Sequence, residues 1–208
     1  MKLEIDIPSR IPVMTLPEVA FFPKVMMPLF IFEPRYRRML ETSLKEHRMF
    51  AVAGLDKSKI EFAVESEPAH KIATLGMIRG CKTQEDGTSQ LILHGLARIQ
   101  LDTIYDEKPY REAEITPLES TQNIEQNELL KKQSQLLTLV KEKTTSNEQF
   151  PIDLLNFMES LEDPENFVDL VAYSMINDSE LKQSVLNTLV VEDRFDLLIK
   201  AFSDYRSN

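Results

Sequence analysis

Hydrophobic positions follow two different rhythms in the two parts of this 208-residue chain. Up to about residue 118 they come in short runs broken by glycine and proline. Ile11-Pro12-Val13-Met14 is an apolar segment that turns at Pro17, and Phe50-Ala51-Val52-Ala53 has the length of a buried strand. Ile72 to Lys82 and Leu91 to Leu101 flank Glu85-Asp86-Gly87-Thr88, and an Asp-Gly step between two apolar runs predicts a hairpin. Tyr110 to Ile115 alternates and predicts one more strand. One helix interrupts these strands at Pro34–Lys45, with proline in its first turn and Tyr36, Met39, Leu40 and Leu44 on one face.

Beyond residue 121 the spacing becomes helical. Leu129, Leu130, Leu136, Leu137 and Val140 predict a helix from Asn123 to about Lys143. Pro151 is placed at N1 of a short helix through Leu161. Asp163-Pro164 supplies an N-cap acceptor followed by proline at N1 of a helix to about Ile176. Asn177 or Asp178 caps the next, which ends near Thr188. The last helix, Glu192 to about Tyr205, is expected to bury Phe195, Leu198, Ile199 and Phe202. Short connections predict a compact bundle.

Glycine and proline sharpen the division. All five glycines lie between Gly54 and Gly95, and after residue 121 only Pro151 and Pro164 remain. The two regimes meet at Ile115-Thr116-Pro117-Leu118, so residues 1–118 are expected to form a β subdomain and residues 119–208 a helical one. Charge divides in the same way. Residues 1–120 hold 16 Lys+Arg against 18 Asp+Glu, and residues 121–208 hold 8 against 16. An acidic second half repels polyanions, which disfavours broad nucleic-acid binding. The single cysteine, Cys81, excludes an internal disulfide and fits a reducing compartment. The N-terminus carries acids where a signal peptide needs an apolar stretch. The most apolar run, Val25 to Phe32, is far short of the roughly 20 residues that span a bilayer. A cytoplasmic protein without membrane contact is expected.

The stretch Ile11 to Leu40, IPVMTLPEVAFFPKVMMPLFIFEPRYRRML, resembles the opening of the N-terminal, substrate-binding domain of Lon proteases. That family reads as an apolar strand, a Phe-Pro turn, Pro-Leu, then Ile-Phe-Glu-x-Arg-Tyr and a helix. Ile72 to Gly76, Asp86-Gly87 and Leu93-His-Gly-Leu-Ala-Arg98 are similar to its second block. Pro109 to Glu114 is similar to the strand that closes its barrel, and Leu189 to Arg194 to the segment before its terminal helix. Lys24 stands where the family usually has glycine after Phe-Pro. The resemblance implies an α+β fold, a PUA-like β pseudo-barrel followed by a C-terminal α-helical bundle.

Catalytic signatures are weak. Gly76-Met-Ile-Arg-Gly80-Cys81-Lys82-Thr83 fails as a P-loop because three residues separate the glycines and Cys81 precedes Lys82. It reads better as a hairpin strand with two packing glycines. Cys81 with His94 or His70 lacks any flanking signature of a thiol–imidazole pair, and His47, His70, His94 and Cys81 show no metal spacing. Cys81 reads as an inert interior residue. No enzyme and no cofactor are expected. The P-loop and Ser-Lys dyad of a Lon protease have no counterpart in these residues, so a stand-alone member is expected.

Val25 to Phe32 is too apolar to read as a cleanly alternating strand. Either it is buried on both faces, or one face is left to bind. Methionine adapts to varied partners. The functional reading therefore places Met26, Met27, Phe30 and Phe32 along a groove for unfolded or extended polypeptide segments or a partner protein. Arg35, Tyr36, Arg37 and Arg38 at the first helix complete the candidate set. Glu33 and Arg35 are expected to form a structural ion pair; the alternative reading is a basic patch, contributed by Arg37 and Arg38, for acidic peptide or RNA. The resemblance also implies self-association, hence a homo-oligomer, and suggests an adaptor or regulator in proteolysis. PUA-like RNA binding is the alternative. The charge distribution, the absence of tryptophan and the single Arg35/Arg37/Arg38 cluster stand against it.

Overall fold

The structure, a computed structural model, describes residues 6–62, 67–145 and 151–204. The chain divides into two compact units, Met1–Leu118 and Glu119–Asn208.

The first unit holds β1 (Arg10–Leu16), β2 (Met26–Ile31), α1 (Pro34–Lys45), β3 (Met49–Gly54), β4 (Ile72–Thr83), β5 (Ser89–Tyr105) and β6 (Arg111–Leu118), with a 3₁₀ turn at Lys57–Phe62. The sheet order is β2-β5-β4-β3-β1-β6, and a further β5–β6 pairing closes five of the strands into a barrel. Closure depends on the length of β5. Its 17 residues pair with β2 over Ser89–His94 and with β6 over Arg98–Tyr105, along the edge opposite β4. Among these strands only β1 and β3 run parallel. The barrel interior is filled by Ile11, Val13, Met49, Ala51, Ala53, Ala73, Leu75, Ile99, Leu101, Ala113 and Ile115. Small alanines on β3 face bulkier Leu75 and Ile99, which suits a closed barrel of this few strands.

The hairpin forms where Asp86-Gly87 predicts it. Gly87 adopts φ +79°, and the Asp86 carboxylate accepts the Thr88 N–H (2.9 Å) and hydroxyl (2.7 Å). Gly76 is a packing glycine, since an added Cβ would lie 2.5 Å from the Leu93 side chain. Gly80 is not, which corrects the reading of two packing glycines. Nothing lies within 4 Å of a Cβ there, and the residue marks a break in the β4–β5 register between Ile78 and Gly80. A bulge needs backbone freedom more than close packing.

The second unit is helical: α2 (Gln126–Thr145), α3 (Ile152–Ser160), α4 (Pro164–Met175), α5 (Ser179–Asn187) and α6 (Val191–Asp204). α2 packs on α4 and α6, while α4 also meets α3 and α5. Phe167 and Phe195 stack with ring centroids 6.2 Å apart, among buried Leu136, Val168, Val171 and Leu198. Asp163 caps α4 by accepting the Glu165 N–H, and Asp178 caps α5 by accepting from Glu180 and Leu181. Two boundaries differ from expectation. α2 begins at Gln126 because Thr121 bridges to Val190 and the Asn123 N–H is taken by Glu192. Pro151 is the N-cap of α3, not N1. Ile199 and Leu44 are half-buried, and the end expected at Tyr205 lies outside the described residues.

The α+β expectation is met: the described residues form a six-stranded sheet and six α-helices.

Candidate functional site

β2 alternates strictly once paired. Met27 and Ile31 point inward, while Met26, Pro28 and Phe30 point out. The β2–β5 register sets Met26 opposite His94, Pro28 opposite Ile92 and Phe30 opposite Gln90. β4 continues the last two rows with Gly80 and Lys82, whereas Met77, the β4 partner of His94, packs against the barrel interior. Paired residues share a face, so Met26 with His94 and the Pro28 and Phe30 rows make one outer surface. Met26 is 53% exposed, Phe30 54%, Phe32 56% and Ile92 39%. Phe30 and Phe32 stack at 5.9 Å between centroids. A groove of about 560 Å³ runs between Phe30 and Lys82, bordered by Ile92 and the half-exposed Cys81. Clustered apolar exposure of this kind marks interaction surfaces, whereas scattered single residues need no explanation.

The structure separates the other sequence candidates from this face. Met27 is 6% exposed and belongs to the core, because strand alternation turns it opposite to Met26. Tyr36 is buried too, its hydroxyl donating to the Thr15 carbonyl at 3.1 Å, and burial raises its pKa. Arg35 pairs with Glu33 and Glu67, both at 3.0 Å, as the ion-pair reading expects for Glu33. It lines a separate polar cavity of about 380 Å³ with Glu67, Lys108 and Arg111. Arg37 and Arg38 do not form a free basic patch. Arg37 donates to the carbonyls of Phe32 (2.8 Å) and Asp86 (3.0 Å), tying α1 to the hairpin turn, and Arg38 pairs with Glu41. Met26, Phe30 and Phe32 are therefore the candidates brought together.

Sequence reasoning missed the cations that border this face. Arg79 sits at the β4 bulge with its guanidinium 3.1 Å from His94 Nδ1. Lys24, at the end of the Phe21-Phe22-Pro23 turn, is held by its N–H to the Gly95 carbonyl at 2.9 Å. Among the described residues Lys24, Arg79 and Lys82 form no ion pair, whereas Arg10, Arg35, Arg38, Lys59 and Lys108 each have a carboxylate partner. Partial burial, with Arg79 and Lys24 nearby, lowers the His94 pKa. No local pattern signals this cluster, because a bulge and a cross-strand register assemble it.

Cys81 is not paired with a histidine. Its partner on β5 is Leu91, three positions from His94, about 10 Å along a strand. It is also half-exposed and not an interior residue. Among the described residues no group of three or more His, Cys, Asp or Glu is placed to hold a metal, and no helix is long and apolar enough to cross a membrane.

A family model described as the ATP-dependent protease La (LON) substrate-binding domain matches residues 10–203. The chain belongs to this family. Lon proteases of Dictyoglomus thermophilum and Haemophilus influenzae are 25% and 24% identical over 190 and 188 residues, or 91% and 90% of the chain. Those matches take in 24% and 23% of the relatives, so the chain spans about a quarter of their length. The N-terminal domain of Mycobacterium avium complex Lon protease superposes with a TM-score of 0.74 at 16% identity, covering 94% of this chain and 98% of that one. The Lon N-terminal domain protein from Xanthomonas campestris gives 0.59 at 17%, covering 93% and 98%. At such identities the structures establish the fold.

Within the Lon substrate-binding family pattern, the departure at Lys24 has a visible cost. The residue adopts φ 64°, a left-handed conformation that glycine takes freely and lysine does not. Gly95 lies beneath it, where an added Cβ would collide with the Phe22 carbonyl. In the helical unit, the Arg194 that carried part of the resemblance is fully buried. It bonds Glu165 (3.0 Å), Asp169 (3.3 Å), Ser120 and the Thr188 carbonyl.

Proposed function

We propose that the protein is a non-catalytic recognition module that binds unfolded or extended polypeptide segments, or a partner protein, through the outer face of β2, β5 and β4. One observation carries this reading: Met26 and Phe30 on the edge strand β2, and Phe32 just after it and stacked on Phe30, are each more than half exposed. An apolar cluster of that size is costly to leave in water unless something covers it. Pro28 removes an N–H from the edge strand, which disfavours strand addition and favours docking onto the face. The family description, a substrate-binding domain, supports the same reading. A cytoplasmic role as adaptor or regulator in proteolysis follows by analogy with Lon.

The test uses a reduced, alkylated and fluorescently labelled unfolded protein as ligand. Met26→Ser/Phe30→Ser/Phe32→Ser should weaken binding at least about tenfold, since buried aromatic anchors commonly contribute about 1–2 kcal/mol or more each. Its circular dichroism should be unchanged, because these side chains lie outside the core. Ligand should also slow alkylation of Cys81, the single thiol. Wild-type affinity in the triple variant refutes the site, and turnover of ATP or peptide by the purified chain refutes the non-catalytic role.

A further inference from the structure

The apolar cluster has an electrostatic border that bears on which segments it takes. At the Met26 end, Lys24 and Arg79 converge on His94, with Arg79 bonded to the ring. At the Phe30 end Lys82 occupies the same row. These three cations form no ion pair among the described residues, in a chain of net charge −10. Unmatched cations around an apolar cluster are complementary to apolar side chains next to carboxylates. Four residue steps of β2 separate Met26 from Phe30, about 13 Å, so an extended segment of about four or five residues covers the row.

We propose, building on the polypeptide-binding reading above, that this face selects extended segments in which a short apolar stretch is flanked by Asp or Glu, with one carboxylate docking between Lys24 and Arg79 beside His94. The apolar side chains cover Met26, Phe30, Phe32 and Ile92. Arg79 then exchanges a neutral imidazole neighbour for a carboxylate, and Lys82 meets a second acid at the far end. Lysine-flanked segments are repelled at both ends.

Three fluorescent peptides with the same Phe-Ser-Leu-Ser-Phe centre, flanked on both sides by two Glu, two Gln or two Lys, test this on the wild-type chain. The Glu peptide should bind roughly tenfold tighter than the Lys peptide at low salt, because two or three exposed charge pairs each add a modest attraction. The gap should narrow as salt rises. Binding of the Glu peptide should raise the pH at which the His94 ring resonances titrate. Lys24→Glu/Arg79→Glu should erase or invert the order, and the wild-type comparison stands whether or not that variant folds. Equal binding of the three peptides overturns the acidic preference and leaves polypeptide docking intact. Failure of all three to bind overturns both. Displacement of the Glu peptide by poly-uridylate with a steep salt slope overturns the proposal in favour of a polyanion site.

Discussion

Lys24 and His94 show how single residues register their surroundings. Lys24 is exposed, yet its backbone lies in the left-handed region and its N–H is committed to Gly95. Replacing it by glycine relieves a steric penalty of about 1 kcal/mol or somewhat more, offset in part by extra freedom of the unfolded chain. Lys24→Gly should therefore raise the unfolding free energy by about 1 kcal/mol at most, read as a higher denaturant midpoint at an unchanged m-value. His94 has a folded pKa below its ordinary 6.5, chiefly through partial burial and secondarily through Arg79 and Lys24. The folded state thus holds this proton less tightly than the unfolded one. Its contribution is complete above pH 6.5 and lost as pH falls from there toward the lowered folded value. His94→Gln keeps an acceptor for Arg79 and should flatten that part of the stability–pH profile, measured by urea unfolding between about pH 7.5 and 5.

At the scale of elements, alternation and capping explain most local outcomes, and one buried charge ties several elements together. α6 contributes Arg194, whose guanidinium reaches Glu165 and Asp169 on α4 and the backbone at Thr188 and Leu189. Leu189 also accepts the Thr121 N–H, so this one side chain fixes the extended start of the unit against α4 and α6. Arg194→Met removes the guanidinium that faces the buried Asp169 carboxylate and should cost roughly 3–5 kcal/mol. Adding Asp169→Leu should recover a substantial part of the loss, because a matched apolar pair buries no charge. A double variant no more stable than the single one would show that Arg194 acts through its backbone contacts instead. β2 illustrates the opposite case. Its residues are so uniformly apolar that only pairing with β5 tells Met26 from Met27.

For the whole molecule, charge and topology set what can approach. The chain carries −10 overall, concentrated after residue 121, while three unmatched cations sit on one face of the barrel. Local attraction for a single polypeptide carboxylate is compatible with this, whereas wrapping a long polyanion is not. On immobilised poly-uridylate the chain should elute below about 0.15 M salt. Retention well above that, with a steep salt slope, would reinstate RNA binding.

The amino-acid sequence by itself determined the β-rich first half, the glycine-free helical second half, the Asp86-Gly87 hairpin and the Asp163 cap, and it narrowed the next cap to Asn177 or Asp178. Those features arise from interactions between residues a few positions apart. Its Phe-Pro, Glu-x-Arg-Tyr and Gly-x-x-Arg motifs likewise pointed to the family. The tertiary structure alone decided that β5 serves both β2 and β6, that Met27 and Tyr36 are core, and that Arg37 is spent on two carbonyls. It alone gathered Lys24, Arg79, Lys82 and His94 around Met26, Phe30 and Phe32. Those are consequences of cross-strand register and of a bulge, set by pairings between residues far apart in the chain, such as Lys24 with Gly95, that no local pattern encodes.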